Sequence, residues 1–283
     1  MQESIQNPTI PFKRGKVKDV HDNGHDQLLF IFTDRVSAYD VVLPSTIPRK
    51  GEVLCKLAKF WFEYLKVPNH MVRAENPNRM IVRKLKMIPV EAVIRGYLYG
   101  SLYDRLKKGE VSLPVKPILA EKLPEPFFDP TTKSDVKDEP LTIEQIEEEG
   151  WLDENQLDEV RRRTTEIYRK MSERAENAGF ILADLKLEFG FDKEENIVLA
   201  DSIGPDEFRL WPKNEYSPGK TQESYDKQVI RDWLGKVGYK KTLDEARKEG
   251  RPTPRPPDLP QELIEETSRR YIIAYERLTG LKL

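Results

Sequence analysis

Glu188 and Asp201 are the side chains whose types and spacing point most directly to chemistry. Glu188 stands in the alternating run 181–189, with Ile181, Ala183, Leu185, Leu187 and Phe189 on one side and Asp184, Lys186 and Glu188 on the other. Period two of this kind is a strand with one apolar and one charged face. A polar interruption at 192–196, then a second apolar run, 197–200, ending at Asp201, completes a hairpin. A loop of 193–196 places Glu188 opposite Asp201. Two facing carboxylates cost a few tenths to about 1 kcal/mol. A cation between them reverses that sign, and two carboxylates with open positions suit Mg²⁺ carrying substrate phosphates. The same spacing also describes an ordinary solvated hairpin face.

Two other stretches offer groups for phosphate. Lys16 and Lys18, two apart in GKVKDV, share a strand face ahead of a turn at Asp22-Asn23-Gly24 and the apolar run 27–33. Asn-Gly between such runs is a hairpin signal. No Gly-Lys-Ser/Thr follows, so this is not a Walker loop, but a glycine-led hairpin can lie over phosphates as the kinase glycine loop does. In RGYLYGS, Arg95 and Ser101 bracket two glycines before a helical run at 102–108. With Ser101 as N-cap, free backbone N–H groups beside Arg95 make a phosphate site; a capped helix with a surface arginine fits the segment equally.

These groups need elements to hold them. Residues 34–51 are turn-rich and contain Ser37, Asp40 and Lys50. From Glu52, apolar residues recur at three and four through Leu65, predicting a core-facing helix that ends before Pro68. Strands are expected at 80–85 and 89–94, and a proline-rich stretch at 111–141 reads as a long functional loop. Thr142 and Gln145 fit a capping box, a long helix is expected at 154–178 with Gly179 as its stop, and helices follow at 221–234 and 261–279.

With 283 residues, 38% of them hydrophobic and 34% charged, the chain can bury a large core. The 47 basic and 49 acidic residues leave a formal charge of −2, so no global field favours nucleic acid or a membrane surface. No apolar run approaches the roughly 20 residues of a membrane span, and the N-terminal stretch has no signal-peptide core. Cys55, the one cysteine, excludes an internal disulfide and reads as a packed thiol. The cytoplasm is the expected compartment.

Taken together, GKVKDV, SAYDVVLPSTIPRKG, EAVIRGYLYGS, FFDPTTKSDVKDE, ADLKLEFG, ADSIGPDEFRLW and SYDKQVIRDWL resemble, in order over residues 15–234, the SAICAR synthetases of purine biosynthesis. The resemblance implies an ATP-dependent ligase. Such an enzyme joins carboxyaminoimidazole ribonucleotide (CAIR) to L-aspartate, releasing ADP and phosphate. It also implies an α+β fold: an N-terminal antiparallel β lobe over 1–88 resembling a kinase small lobe, and a larger α+β lobe over 89–283, with ATP in the cleft.

Carried over by motif, Lys16, Lys18 and Glu91 would meet ATP, with 89–91 along the adenine. Glu188 and Asp201 would hold Mg²⁺, and Lys186 would contact the nucleotide or transferred phosphoryl group. Arg95, Ser101 and Arg209 would hold the CAIR phosphate and Asp206 its ribose. Lys133 and Asp138 would flank the imidazole and its carboxylate, with Ser37 and Asp40 near aspartate or CAIR. One departure is Lys137, where the family usually has histidine. The alternatives are a kinase-like phosphotransferase acting on another phosphorylated metabolite, though no HRD or DFG triplet occurs, and a non-enzymatic nucleotide-binding module. The latter would not need Arg95, Ser101 and Arg209.

Overall fold

The computed structural model describes residues 13–75, 77–133 and 139–283. The first strands, β1 (Lys13–Arg14), β2 (Lys18–Gly24) and β3 (Gln27–Phe32), form the expected hairpin, but its turn lies further on. Gly24 pairs with Gln27, leaving His25 (φ 49) and Asp26 (φ 57) as a tight loop with both residues left-handed, the geometry that matches strand twist. Asn23 falls at a register shift within β2 instead. The turn-rich stretch that follows is a second hairpin, β4 (Arg35–Ala38) and β5 (Val41–Thr46), closed at Tyr39 (φ 53) and Asp40 (φ 64). Helix α1 (Lys50–Leu65) buries Val53, Leu57 and Trp61, with Cys55 packed among them. Burial pushes that thiol up to about 12, so it stays an inert thiol. Strands β6 (Met71–Glu75) and β7 (Arg79–Arg83) complete an antiparallel sheet of order β1-β2-β3-β7-β6.

The second sheet is built on two long strands. β8 (Lys86–Tyr97) pairs with β11 (Phe180–Phe191), and residue 88 lies within β8. Between them in sequence come α2 (Ser101–Lys108), β9 (Lys122–Phe128), β10 (Thr131–Thr132), α3 (Ile143–Glu148) and α4 (Glu154–Asn177). The proline-rich stretch is therefore not one loop. Prolines 124 and 126 sit in β9, which among the described residues pairs only with β8, an edge position where a missing N–H costs little. Strands β12 (Ile197–Ala200) and β13 (Phe208–Pro212) both pair with β11. The helices α5 (Gln228–Lys236), α6 (Tyr239–Lys248) and α7 (Gln261–Thr279) follow.

The β11–β12 hairpin corrects the expected register by one. Phe191 pairs with Ile197 and Glu188 with Ala200, not Asp201. The Asp192 carboxylate accepts the Glu194 and Asn196 backbone N–H groups at 3.0 and 2.8 Å, which draws Asp192 into the loop. Asp201 lies beyond the pairing at φ 59. Nor is the charged side of β11 a solvated face, because strands flank β11 on both sides and these side chains line an internal cavity, while helix α4 packs on the apolar side. Asp184 and Glu188 are 6% and 7% exposed.

One core joins the two sheets, running from Phe32 and Met80 through Leu57 and Trp61 of α1 to Ile94, Leu185 and Leu187. Helix α4 turns Leu157, Val160, Ile167, Tyr168, Met171 and Ala175 into it, as the periodicity predicts. A Cβ on Gly96 of β8 would lie 1.8 Å from the Tyr168 hydroxyl, so only glycine permits α4 to approach this closely. A smaller cluster packs the β4–β5 hairpin (Val36, Leu43) on α5 and α6 (Ile230, Leu234, Leu243). Among the described residues no helix is long and apolar enough to cross a membrane.

Candidate active site

A cavity of about 1330 Å³ is lined by both hairpins, β8, β11, the 201–209 segment and the start of α5. Strand β11 spans it. Asp184, Lys186 and Glu188 alternate along one face, so roughly 13 Å of strand separates the first from the last.

At the Asp184 end the chemistry is guanidinium. Register places Asp184 opposite Arg95 on β8 and opposite Arg209 on β13, so one buried carboxylate serves two arginines. It accepts from Arg209 at close range and from Arg95 Nη1 at 3.5 Å. Arg95 also donates through Nε to Asp129 at 2.5 Å and through Nη2 to the Ser101 hydroxyl at 3.1 Å. Arg105 donates to both Asp129 oxygens, at 2.5 and 2.7 Å. Ser101 is thus not the N-cap. Gly100 holds that position at φ 58, where a Cβ would lie 2.8 Å from Arg209 Nη2, and the Ser101 hydroxyl is spent on Arg95.

At the Glu188 end the chemistry is lysine on carboxylate. The residue facing Glu188 across the strands is Glu91, so a like-charged pair does exist, but with a partner other than the expected one. Lys133 closes on Glu188, Lys186 on Glu91 with Glu188 3.9 Å away, and Lys18 on Asp201. Thr131 donates to Glu91 at 3.1 Å. Burial alone would lift the Asp201 carboxyl, yet Lys18 and Lys133 outweigh it and hold it at about 2. Burial likewise opposes charge on Lys186 and Lys133, and the adjacent glutamates raise both above the usual lysine range. Lys16 pairs with Asp40 at 2.6 Å across the two hairpins. His70 donates from Nε2 to the Asp201 carbonyl at 3.0 Å, and burial lowers its ring to about 4, so it stays neutral.

These features agree with the comparisons to known proteins. The sequence profile of SAICAR synthetase matches residues 11–246. A phosphoribosylaminoimidazole-succinocarboxamide synthase of Nitrosopumilus maritimus (strain SCM1) is 52% identical over 271 residues, covering 95% of this chain and 98% of that protein. The SAICAR synthase of Saccharomyces cerevisiae, solved in complex with SAICAR, superposes with a TM-score of 0.81 at 34% identity, over 96% of this chain and 95% of that one. A SAICAR synthetase solved with ADP gives a TM-score of 0.73 at 27% identity, over 96% and 98%.

The chain belongs to the SAICAR synthetase family.

The residues that the family resemblance singled out do come together. Lys16, Lys18, Ser37, Asp40, Glu91, Arg95, Ser101, Lys133, Lys186, Glu188, Asp201, Asp206 and Arg209 all line the one cavity. Asp138 and Lys137 lie outside the described residues. Asp206 is anchored rather than free: Lys50 Nζ and the Tyr271 hydroxyl each donate to it at 2.8 Å, with Lys50 fully buried. Burial would raise its carboxyl, but Lys50 and Lys227 depress it strongly.

Sequence reasoning missed Asp184 and Asp129, which hold the SAICAR synthetase arginines in place, and Glu207, Lys227 and Arg231, which also line the cavity. Lys227 and Arg231 stand four apart in SYDKQVIRDWL, a spacing that sets two cations on one helix face. That signal was present. Nothing in local sequence distinguishes Asp184 from a surface charge.

Proposed function

We propose that this chain performs the SAICAR synthetase ligation, the ATP-dependent joining of CAIR to L-aspartate in purine biosynthesis, by way of an acyl phosphate formed in this cavity. A carboxylate is negative and lacks a leaving group, so the amine attacks it only after phosphoryl transfer. The protein's part is to position reactants and offset charge. The observation that carries the reading is β11 itself, with a guanidinium site at Asp184, a lysine–carboxylate site at Glu188 and Lys186 between. Two separate anion sites on one strand exceed what a plain nucleotide-binding module would need. A phosphotransferase acting on another phosphorylated metabolite would also use both, and a requirement of ATP turnover for CAIR and L-aspartate together separates the ligase from it.

In this reading Lys16 and Lys18 lie on the ATP phosphates, and 89–91, ending at Glu91, runs along the adenine. Arg95, Ser101 and Arg209 take the 5′-phosphate of CAIR, and Asp206 takes its ribose, steadied from behind by Lys50 and Tyr271. Lys133 and Asp138 flank the imidazole and its carboxylate, Lys186 meets the transferred phosphoryl group, and Ser37 and Asp40 stand near the amino acid. A nucleotide lobe at 1–88, a second lobe at 89–283 and a cytoplasmic location belong to the same reading.

Mg²⁺ fits the residues present. Glu188 and Asp201 offer oxygen donors alone, each now neutralised by a lysine that phosphates could draw away. Among the described residues no three acidic, histidine or cysteine side chains form a metal cluster, so the ion would also rely on ligand oxygens. Bound there, it would screen the charge on the phosphates. CAIR with ¹⁸O in its carboxylate should deliver one labelled oxygen to the phosphate released. Unlabelled phosphate alongside amide product would rule out the acyl phosphate.

A further inference from the structure

Glu207 is the unexplained group of the cavity. Its backbone carbonyl accepts the Lys186 N–H at 2.8 Å, which stations it at mid-strand on β11, between the two ligand sites. Its side chain lines the cavity, yet Oε2 is buried without a hydrogen-bond partner. A buried carboxylate oxygen left unmet costs about 1–3 kcal/mol or more, so such an atom in a site calls for a donor from a ligand.

A complementary gap lies opposite. Lys18, Lys133, Lys186, Arg95 and Arg209 each sit on a carboxylate of the chain. Lys227 and Arg231 also line the cavity, and among the described residues neither side chain has an ion-pair partner. They are four apart, with the Arg231 N–H donating to the Lys227 carbonyl at 3.3 Å, so both project from one face at the start of α5. The electrostatics agree with the geometry. Burial, then Asp206 and Asp201, lift the Glu207 carboxyl to about 8, and burial lowers the Lys227 amine to about 8 against the pull of Asp206. Lys18 and Lys227 offset only part of the rise at Glu207, and Asp206 and Glu207 only part of the fall at Lys227, so each group gains from further countercharge that a ligand would supply.

Two unpaired cations and one unpaired carboxylate are the charge complement of an α-amino dicarboxylic acid. We propose that Glu207, Lys227 and Arg231 form the seat of the amino-acid substrate, Glu207 accepting from its α-ammonium and Lys227 and Arg231 donating to its two carboxylates. This rests on the ligase reading above and identifies the third substrate's site within it. It places the amine beside Lys186, where the activated carboxylate is expected. It also makes Glu207 the group that distinguishes an amino acid from a plain diacid.

The test compares L-aspartate with succinate, the same diacid without the amine, on the full-length protein with ATP and CAIR saturating. Glu207→Gln should raise the KM for L-aspartate roughly ten- to a hundredfold, the loss of one charge-assisted bond. Inhibition by succinate should stay unchanged or tighten, and KM for ATP and CAIR should hold. Arg231→Gln and, separately, Lys227→Met should weaken L-aspartate and succinate alike, which tests the anion half even if the Glu207 variant fails to fold. Equal weakening of succinate and aspartate by Glu207→Gln, or a shift in Mg²⁺ or ATP dependence with aspartate unaffected, would overturn the assignment. Failure of the ligase reading has a different signature: the unaltered protein would turn over ATP without requiring CAIR and L-aspartate together.

Discussion

The guanidinium end of the cavity and its lysine end are both built from ion pairs, yet the pairs differ in kind. At the first, Arg95 is tied by three separate atoms to Asp129, Asp184 and Ser101, and Asp184 in turn faces a second arginine. The planar forks are fixed by register and burial before any ligand arrives, which cuts the cost of ordering them around a phosphate. At the second, Lys18, Lys133 and Lys186 each reach a carboxylate through one flexible chain, and two of those carboxylates, Asp201 and Glu188, are themselves the groups proposed to meet a cation. The first end is preorganised. The second is arranged to exchange partners, with the lysines moving from carboxylate to phosphate as charge enters. This suits a reaction in which one anionic ligand must stay fixed while a phosphoryl group moves.

The largest effect expected from this contrast falls on Asp184. Its side chain is 8% exposed, and Asp184→Asn would leave Arg95 and Arg209 buried with their shared charge gone. Breaking a buried pair by removing one partner costs about 3–5 kcal/mol, which for a chain of this size lowers the melting temperature by roughly 10 °C. A CAIR-phosphate analogue should restore more stability to the variant than it adds to the unaltered protein, because it brings back negative charge. Thermal melts with and without that ligand check both statements; an unchanged melting temperature would mean the guanidinium end is not held by Asp184.

Asp201→Asn should behave differently. The Asp201 carboxyl is depressed to about 2 in the folded chain, so its ionised form stabilises the fold above the ordinary carboxylate range, and that contribution is lost as pH falls through 2. The shift corresponds to about 2.5 kcal/mol at most, and the 22% exposure of the side chain reduces it to roughly 1–2 kcal/mol. The register-based expectation, that removing a facing like charge would stabilise the metal-free protein, does not survive the finding that Asp201 sits on Lys18. Turnover should fall far more than stability, roughly a hundredfold or more, with a raised Mg²⁺ requirement. Near-normal turnover at the usual Mg²⁺ concentration would remove Asp201 from the proposed metal site.

How much of this was legible in the sequence depended on whether local chemistry or distant pairing decided the outcome. Helix α7 matches its predicted span, 261–279, and α4 matches within a residue, because apolar periodicity and end signals are local. The short helix α6 was missed because YKKTLDEARK buries only Tyr239, Leu243 and Ala246, too few for a clear stripe. The one-residue error at the β11–β12 loop came from the Asp192 carboxylate capping its own turn, which alternation does not register. Asp184, Lys186 and Glu188 read equally as a solvated face, and only pairing with β8, which lies far earlier in the chain, turns that face into the floor of a cavity. The motif residues were found through family resemblance. The groups that hold them, Asp129, Asp184, Lys50 and Tyr271, carry no local mark.

The smallest effect, and the sharpest test of preorganisation, belongs to Ser101. Its hydroxyl accepts one hydrogen bond from Arg95 Nη2 at 3.1 Å, while Nε and Nη1 remain on Asp129 and Asp184. Ser101→Ala therefore removes a single bond from a guanidinium that two carboxylates still orient. A net loss of about 0.5–1.5 kcal/mol follows, or roughly a two- to tenfold rise in KM for CAIR, with kcat and KM for ATP unchanged. The melting temperature should fall by no more than a few degrees, since one intrachain bond is lost while Gly100 and not Ser101 occupies the N-cap position of α2. A hundredfold rise would show that Arg95 depended on Ser101 for its orientation, and the contrast between a fixed end and an exchanging end would fail. No change at all would remove Ser101 from the phosphate site while leaving the arginines in it.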